Sequence, residues 1–185
     1  MMKFPFKNKK EIDSYSNDYL RRYKGTKYAE DEKKIMQKMV NARKRRFLTK
    51  REFVELGVWK THRQKGNYNK NDENAVKEIT RLSFKLHSND ELRIKVLTLL
   101  KGVKMRVASA ILHLAFCNVP SGYPLLDFRA LRSLTGRRYP EPNFEDIDLW
   151  SAYVKFCRLQ AKKYGVLSMR DLDRALWEYD KKKHG

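Results

Sequence analysis

The sequence has few of the residues that build covalently linked or metal-held scaffolds. Its 185 residues include only two cysteines, Cys117 and Cys157. Two thiols cannot supply a disulfide framework or an all-cysteine zinc or iron–sulfur site. Both lie within helical patterns, so we expect buried free thiols. The spacing of the four histidines matches no metal motif, and neither a metal nor a cofactor is predicted.

Long apolar runs are also missing. No stretch reaches the roughly 18 residues needed to cross a bilayer, and the opening MMKFPFKNKK contains no apolar run of signal-peptide length. We therefore expect no membrane partner and a cytoplasmic location. Hydrophobic residues make up 41% of the chain and aromatic residues 12%, which excludes a disordered tail and predicts a folded protein.

Proline is absent between Pro5 and Pro120, and apolar residues in this stretch recur every three or four positions. This spacing predicts an all-α fold. Helix starts are indicated at Thr49, Ser88 and Ser168, each followed three residues later by an acid.

A polar loop at 64–70 is expected between helices around 49–63 and 71–87. A later helix is indicated by an apolar stripe formed by Ile147, Trp150, Val154, Cys157, Ala161 and Tyr164.

Positive charge is in large excess. Lys and Arg number 42 against 22 Asp and Glu, a formal net charge of +20. Residues 1–50 form a basic N-terminal helical region whose densest run is Arg43, Lys44, Arg45 and Arg46. Repulsion within such a run destabilises a fold unless a polyanion relieves it, so we expect this run to contact nucleic acid. The lysines at 181–183 are interpreted as a solvated helix face with a frayed end.

One segment, residues 97–112, carries a more specific pattern. A helix ending at Leu100, a glycine at 102 able to adopt positive φ, Val103 beneath the turn and a second helix with Ala108 predict a tight helical hairpin. The segment resembles the helix-hairpin-helix motif, which we place at 92–117. In that motif, amides at the start of the second helix hold a DNA phosphate. The resemblance implies DNA contacts by Gly102, Val103, Lys104 and Arg106.

The residues after the hairpin extend the resemblance. Leu-Leu-Asp127 leads into a helix closed by Gly136, and the whole segment 97–136 looks like the helix-hairpin-helix DNA glycosylase superfamily, which includes endonuclease III. The resemblance implies a single all-helical unit over 1–185 with two lobes and DNA crossing the cleft between them. It also implies that Asp127 is the catalytic carboxylate. From the residues alone, Asp127 is also a good N-cap.

Two positions depart from the family pattern. Lys104 occupies the place of the second hairpin glycine, where it adds a cation. Arg106 stands where family members that nick the backbone have a Schiff-base lysine, and a guanidinium cannot act as an amine nucleophile. The sequence therefore predicts no lyase activity of the lysine type. The family's frequent C-terminal cysteine cluster is also absent.

Base excision also needs a wedge side chain, because the target base must leave the stack. Tyr68, expected at the exposed tip of the 64–70 loop, is the candidate, while Trp59 is a core residue or lines a pocket.

The sequence thus predicts a nucleoid-associated, monofunctional DNA glycosylase. Two alternatives stay open: a non-catalytic helix-hairpin-helix DNA-binding protein, and a basic helical protein associated with RNA or the ribosome.

Overall fold

The computed structural model describes residues 2–86, 88–137 and 146–185, and every regular element in these ranges is a helix. The predicted all-α class is confirmed. None of the described helices combines the length and apolar character required to span a bilayer. A short 3-10 helix covers His62–Gln64, and the α-helices in chain order are α1 Lys9–Tyr23, α2 Lys27–Arg45, α3 Lys50–Lys60, α4 Lys65–Asn69, α5 Glu73–Lys85, α6 Asp90–Leu97, α7 Met105–Phe116, α8 Phe128–Thr135, α9 Ile147–Lys163 and α10 Met169–His184.

The chain divides into two compact units. The terminal unit consists of Met1–Thr26 and Cys117–Gly185, and the central unit consists of Lys27–Phe116. The basic N-terminal region predicted at 1–50 is therefore shared between them, with α1 in the terminal unit and α2 in the central unit.

The terminal unit is organised around α10, which packs against α1 and α8. Arg22 of α1 donates two hydrogen bonds, of 2.9 and 2.6 Å, to the fully buried carboxylate of Glu178. The predicted stripe of α9 is an interior face, with Trp150, Val154 and Cys157 buried. Both cysteines are buried free thiols, as expected.

The core of the central unit is α7, in which every residue except Arg106 is buried. Helices α2, α3 and α6 all pack against it. A helix that is buried on all sides must be covered on all sides, and this requirement explains why α2, α3 and α6 all pack around α7.

Local capping decides most helix starts. Thr49 and Glu52 form the predicted capping box at α3, and the Ser168 hydroxyl accepts from the amide of Arg170 at α10. The prediction for Ser88 is wrong by one residue. The side chain of Asn89 caps α6 instead, accepting from the amide of Leu92 at 2.8 Å.

Two further predictions are corrected. The expected loop at 64–70 is helical, formed by the end of the 3-10 helix and by α4. The helix expected to end at Leu100 ends at Leu97. The next three amides, of residues 98–100, bond to carbonyls three residues back at 3.0–3.2 Å, so the chain tightens into turns before the glycine.

Candidate nucleic-acid-binding turn and carboxylate

The hairpin turn lies between α6 and α7 in the central unit. Gly102 has φ +84°, in the left-handed region that favours glycine. The amide of Val103 bonds to the carbonyl of Leu100 at 3.0 Å, and the Val103 side chain is buried, as predicted. The carbonyl of Lys104 then accepts from the amides at 107 and 108, which starts α7.

The turn is held by a side chain that the sequence did not indicate. Asn71 Oδ1 accepts from the amide of Lys101 at 2.7 Å, and Asn71 Nδ2 donates to the carbonyl of Lys101 at 3.0 Å. The same Nδ2 lies 3.2 Å from the carbonyl of Asn67 and 3.0 Å from that of Tyr68. One amide side chain therefore joins the end of α4 to the hairpin.

Tyr68 supports the turn from beneath. A Cβ built on Gly102 would lie 3.0 Å from the Tyr68 ring, and one built on Gly57 of α3 would lie 2.7 Å from it. The ring is thus packed between two glycines, with Phe53 edge-on at a centroid distance of 5.7 Å. Glycine is required where the Tyr68 ring approaches these two backbones so closely.

The expectation that Tyr68 is an exposed wedge is wrong, because its side chain is fully buried. The polar residues around it at 64–70 suggested a surface loop, but α4 turns this one apolar side chain inward. Gly57, inside a helix with no turn to explain it, was the sequence signal for a close approach. Trp59 is half-buried and stacks on Tyr28 at a centroid distance of 6.1 Å.

The outer side of the turn carries positive charge. Lys101 and Lys104 are exposed, and Arg106, in the first turn of α7, is half-buried. The start of a helix attracts anions through its amides and its dipole. The turn therefore combines cationic side chains with a helix N-terminus over a short stretch of backbone.

The basic run at 43–46 covers the last three residues of α2 and Arg46, which follows the helix, and all four side chains are exposed. The Arg43 guanidinium lies 4.6 Å from the centroid of the Phe116 ring. Arg45 forms an ion pair with Glu52 at 2.5 Å. Since Phe116 is the last residue of α7, Arg43 lies at the end of that helix opposite the turn, and the helix is about 16 Å long at a rise of about 1.5 Å per residue.

Asp127 belongs to the terminal unit. It is the N-cap of α8, with extended backbone, and its Oδ1 accepts from the amide of Arg129 at 3.0 Å. Its side chain is partly exposed. Gly136, at φ +67°, closes the helix. The N-cap prediction is confirmed, and an N-cap carboxylate lies where the helix dipole favours negative charge.

Two arginines of α8, Arg129 and Arg132, pair with the carboxylate of Asp180. Arg132 donates to both oxygens of this fully buried carboxylate at 2.6 and 2.7 Å, and Arg129 donates to one at 3.1 Å. The hydrogen bonds that Arg132 donates to Asp180 raise the pKa of Arg132. This cluster fixes α8, and with it the residue that starts α8, against α10.

The segment leading to Asp127 is packed rather than loose. Tyr123, Leu125 and Leu126 are buried, and the hydroxyl of Tyr153 donates to the carbonyl of Leu125 at 3.3 Å. Burial raises the pKa of Tyr153 well above its usual value, with the neighbouring acidic groups adding to the effect. Tyr153 therefore stays protonated and holds the backbone two residues before Asp127.

The two predicted features thus belong to different units, the turn to the central unit and Asp127 to the terminal unit. No protein-family model, curated protein or solved structure matches the chain. Within the described residues, no group of three His, Cys, Asp or Glu side chains could hold a metal ion. A shared DNA groove, and the glycosylase resemblance itself, stay predictions.

Proposed function

We propose that the protein binds duplex DNA through the turn at 101–104 and the first residues of α7. The observation that carries this proposal is the turn itself: a left-handed glycine flanked by two exposed lysines and clamped in place by Asn71. Neither Lys101 nor Lys104 forms an ion pair with a described residue. A phosphate at this position would meet preorganised cations at the start of a helix.

The distribution of charge supports the proposal. Residues 27–116, which form the central unit, carry 22 Lys and Arg and 10 Asp and Glu, a net charge of +12. The terminal unit carries the remaining +8 of the total of +20. The unit that contains the turn is therefore the more basic of the two, and such a field attracts a polyanion before any contact forms.

We further propose that Asp127 hydrolyses an N-glycosidic bond. As the bond between base and sugar breaks, its electrons leave with the base and positive charge develops on the sugar. A carboxylate beside the sugar stabilises that charge and accepts a proton from the water whose oxygen bonds to the sugar carbon, while the departing base takes up a proton from solvent. The partial exposure of Asp127 and the packed segment before it suit such a fixed carboxylate. Arg106 cannot form a Schiff base, so the proposed reaction ends with an abasic site.

A panel of duplexes, each carrying one damaged or mispaired base, tests the chemistry. The protein is incubated with each duplex, alkali converts abasic sites to breaks, and the products are separated on a gel. We expect cleavage of at least one duplex by the wild type, cleavage only after alkali, and none by Asp127→Asn. Asparagine caps a helix about as well as aspartate, so this variant should keep its stability, whereas Asp127→Ala should lose about 1 kcal/mol.

The alternatives give different results. A non-catalytic DNA-binding protein leaves the whole panel uncut and binds duplex equally well with Asp127→Asn. An RNA-associated protein prefers RNA, and duplex DNA fails to compete. For binding through six phosphates, the logarithm of the association constant should fall with the logarithm of salt concentration at a slope of about −5. A slope near zero contradicts binding through phosphates.

A further inference from the structure

Positive charge beside the turn continues onto a second element. Lys65 begins α4, and Lys70 follows its last residue. Both are exposed, as are Lys101 and Lys104 of the turn, and none of the four forms an ion pair with a described residue. We call these lysines, together with the exposed Asn67, the α4–turn surface.

The two parts of this surface are held together by short contacts. The four hydrogen bonds of Asn71 link the carbonyls of Asn67 and Tyr68 to both backbone groups of Lys101. A Cβ on Gly102 would lie 3.0 Å from Cβ of Asn67. The end of α4 and the turn are therefore joined through the Asn71 side chain, and their lysines belong to one scaffold.

Asp72, the acid nearest in sequence to Lys70, caps helix α5. Asp72 follows Asn71 directly, and its Oδ1 accepts from the amides of Asn74 and Ala75 as the N-cap of α5. The hydrogen bonds from these amides, first from Ala75 and then from Asn74, lower the pKa of Asp72. Asp72 is therefore ionised at neutral pH, but its single charge offsets only part of the four positive charges, and a polyanion relieves the rest.

The surface suits phosphates rather than bases. Proteins that bind single strands stack bases on exposed aromatic rings. The one ring in α4, that of Tyr68, is fully buried. With cations and amide groups but no exposed ring, the surface can contact a sugar–phosphate backbone without reading or stacking bases.

We propose that the α4–turn surface is one phosphate-binding face for duplex DNA, with Asn71 as its positioning residue. This inference rests on the proposed DNA binding and deepens it, because it extends the contact from the hairpin to α4. Lys65 and Lys70 contact phosphates beyond those held by the turn, and Asn71 fixes the spacing between the two sets of lysines.

Fluorescence anisotropy with a labelled 20-base-pair duplex, titrated across 50–200 mM salt, tests the face. Losing one phosphate contact should reduce the salt slope by about 0.9 and weaken binding roughly eightfold near 0.1 M salt. We expect this change for Lys65→Gln and for Lys70→Gln. Lys85→Gln is the matched control, since Lys85 is exposed, lies in the same unit and forms no ion pair with a described residue.

The position of Lys85 makes it a suitable control. It ends α5, where Arg93 donates to the carbonyl of Phe84 at 3.0 Å. The Arg93 guanidinium also lies 4.8 Å from the centroid of Phe116, at the end of α7 remote from the turn. If the turn and α4 carry the contact, Lys85→Gln leaves both affinity and slope near the wild-type values. A loss as large as that of Lys65→Gln would instead assign the phosphate contact to the end of α7 where Arg43 lies against Phe116.

A double-mutant cycle tests the positioning role of Asn71. Asn71→Ala changes no charge, but it should weaken binding, because Lys101 is no longer held in register with α4. If Asn71 positions Lys101, then Lys101→Gln should cost less in the Asn71→Ala background than in the wild type. A residue that only stabilises the fold gives additive effects when all variants are measured below their unfolding transitions.

The outcomes separate this inference from the function on which it rests. If the wild type shows no salt-dependent duplex binding, the proposed function is overturned, and the inference with it. If the wild type binds and Lys104→Gln weakens it, but Lys65→Gln and Lys70→Gln behave like Lys85→Gln, only the extension to α4 is overturned. Additive effects of Asn71→Ala and Lys101→Gln overturn the positioning role.

Discussion

Replacing Gly57 by alanine tests the packing beneath the hairpin. In the interior of a helix such a change normally stabilises, since alanine is favoured over glycine by about 1 kcal/mol. Here the new Cβ would lie 2.7 and 2.8 Å from two carbon atoms of the Tyr68 ring. The ring cannot retreat, because its other side already lies against Gly102. Overpacking of this kind costs about 1–3 kcal/mol, so we expect Gly57→Ala to destabilise by about 1–2 kcal/mol.

Urea unfolding followed by circular dichroism measures this change. Gly66→Ala is the matched control: Gly66 is also helical, and a Cβ there meets no atom within 4 Å. That variant should stabilise by about 0.5–1 kcal/mol. In a Tyr68→Leu background, Gly57→Ala should no longer destabilise. Equal stabilisation by Gly57→Ala and Gly66→Ala would refute the packing described for Tyr68.

Three further predictions concern buried or paired groups. Asp180→Ala leaves two arginines of α8 without their buried carboxylate, and it should cost about 3 kcal/mol in urea unfolding. Partial burial raises the pKa of Glu55, but hydrogen bonds from a lysine and an arginine outweigh this and lower it overall. The ionised Glu55 therefore stabilises the fold above its ordinary pKa of 4.5, and this stabilisation is lost as pH falls through the lower pKa of the folded state. When unfolding is measured from pH 6 to 3, the free energy of unfolding of Glu55→Gln should fall less steeply than that of the wild type. Burial raises the pKa of Cys117 to about 11 and raises that of Cys157 further. A thiol reagent at pH 8 should therefore label both cysteines only after denaturation. Rapid labelling of the native protein would contradict their burial.

Local signals predicted the helices well. Thr49, Ser168 and Asp127 all cap helices where the sequence indicated, because each cap needs only a side chain and amides two or three residues away. The same dependence on local residues explains why Ser88 was predicted as the cap of α6 where Asn89 is the cap. Both residue types cap well, and local sequence does not choose between neighbours.

The contacts that shape the candidate site were harder to predict. The burial of Tyr68 depends on Gly57 and Gly102, which are 11 and 34 positions away in sequence. The hydrogen bonds between Asn71 and Lys101 cross 30 positions, and those between Arg132 and Asp180 cross 48. Neither periodicity nor composition pairs such residues. The turn and Asp127 could be placed on their elements from sequence, but their supporting contacts could not.

The division of the chain into two units affects the order in which its helices can pack during synthesis. The central unit is continuous in sequence and can close as soon as α7 has emerged. Helix α1 is made before the central unit, yet its partner α10, which carries the Glu178 that accepts from Arg22, is made after it. Until α10 has emerged, the apolar side of α1 with Ile12 and Tyr19 is open to chaperones or to aggregation.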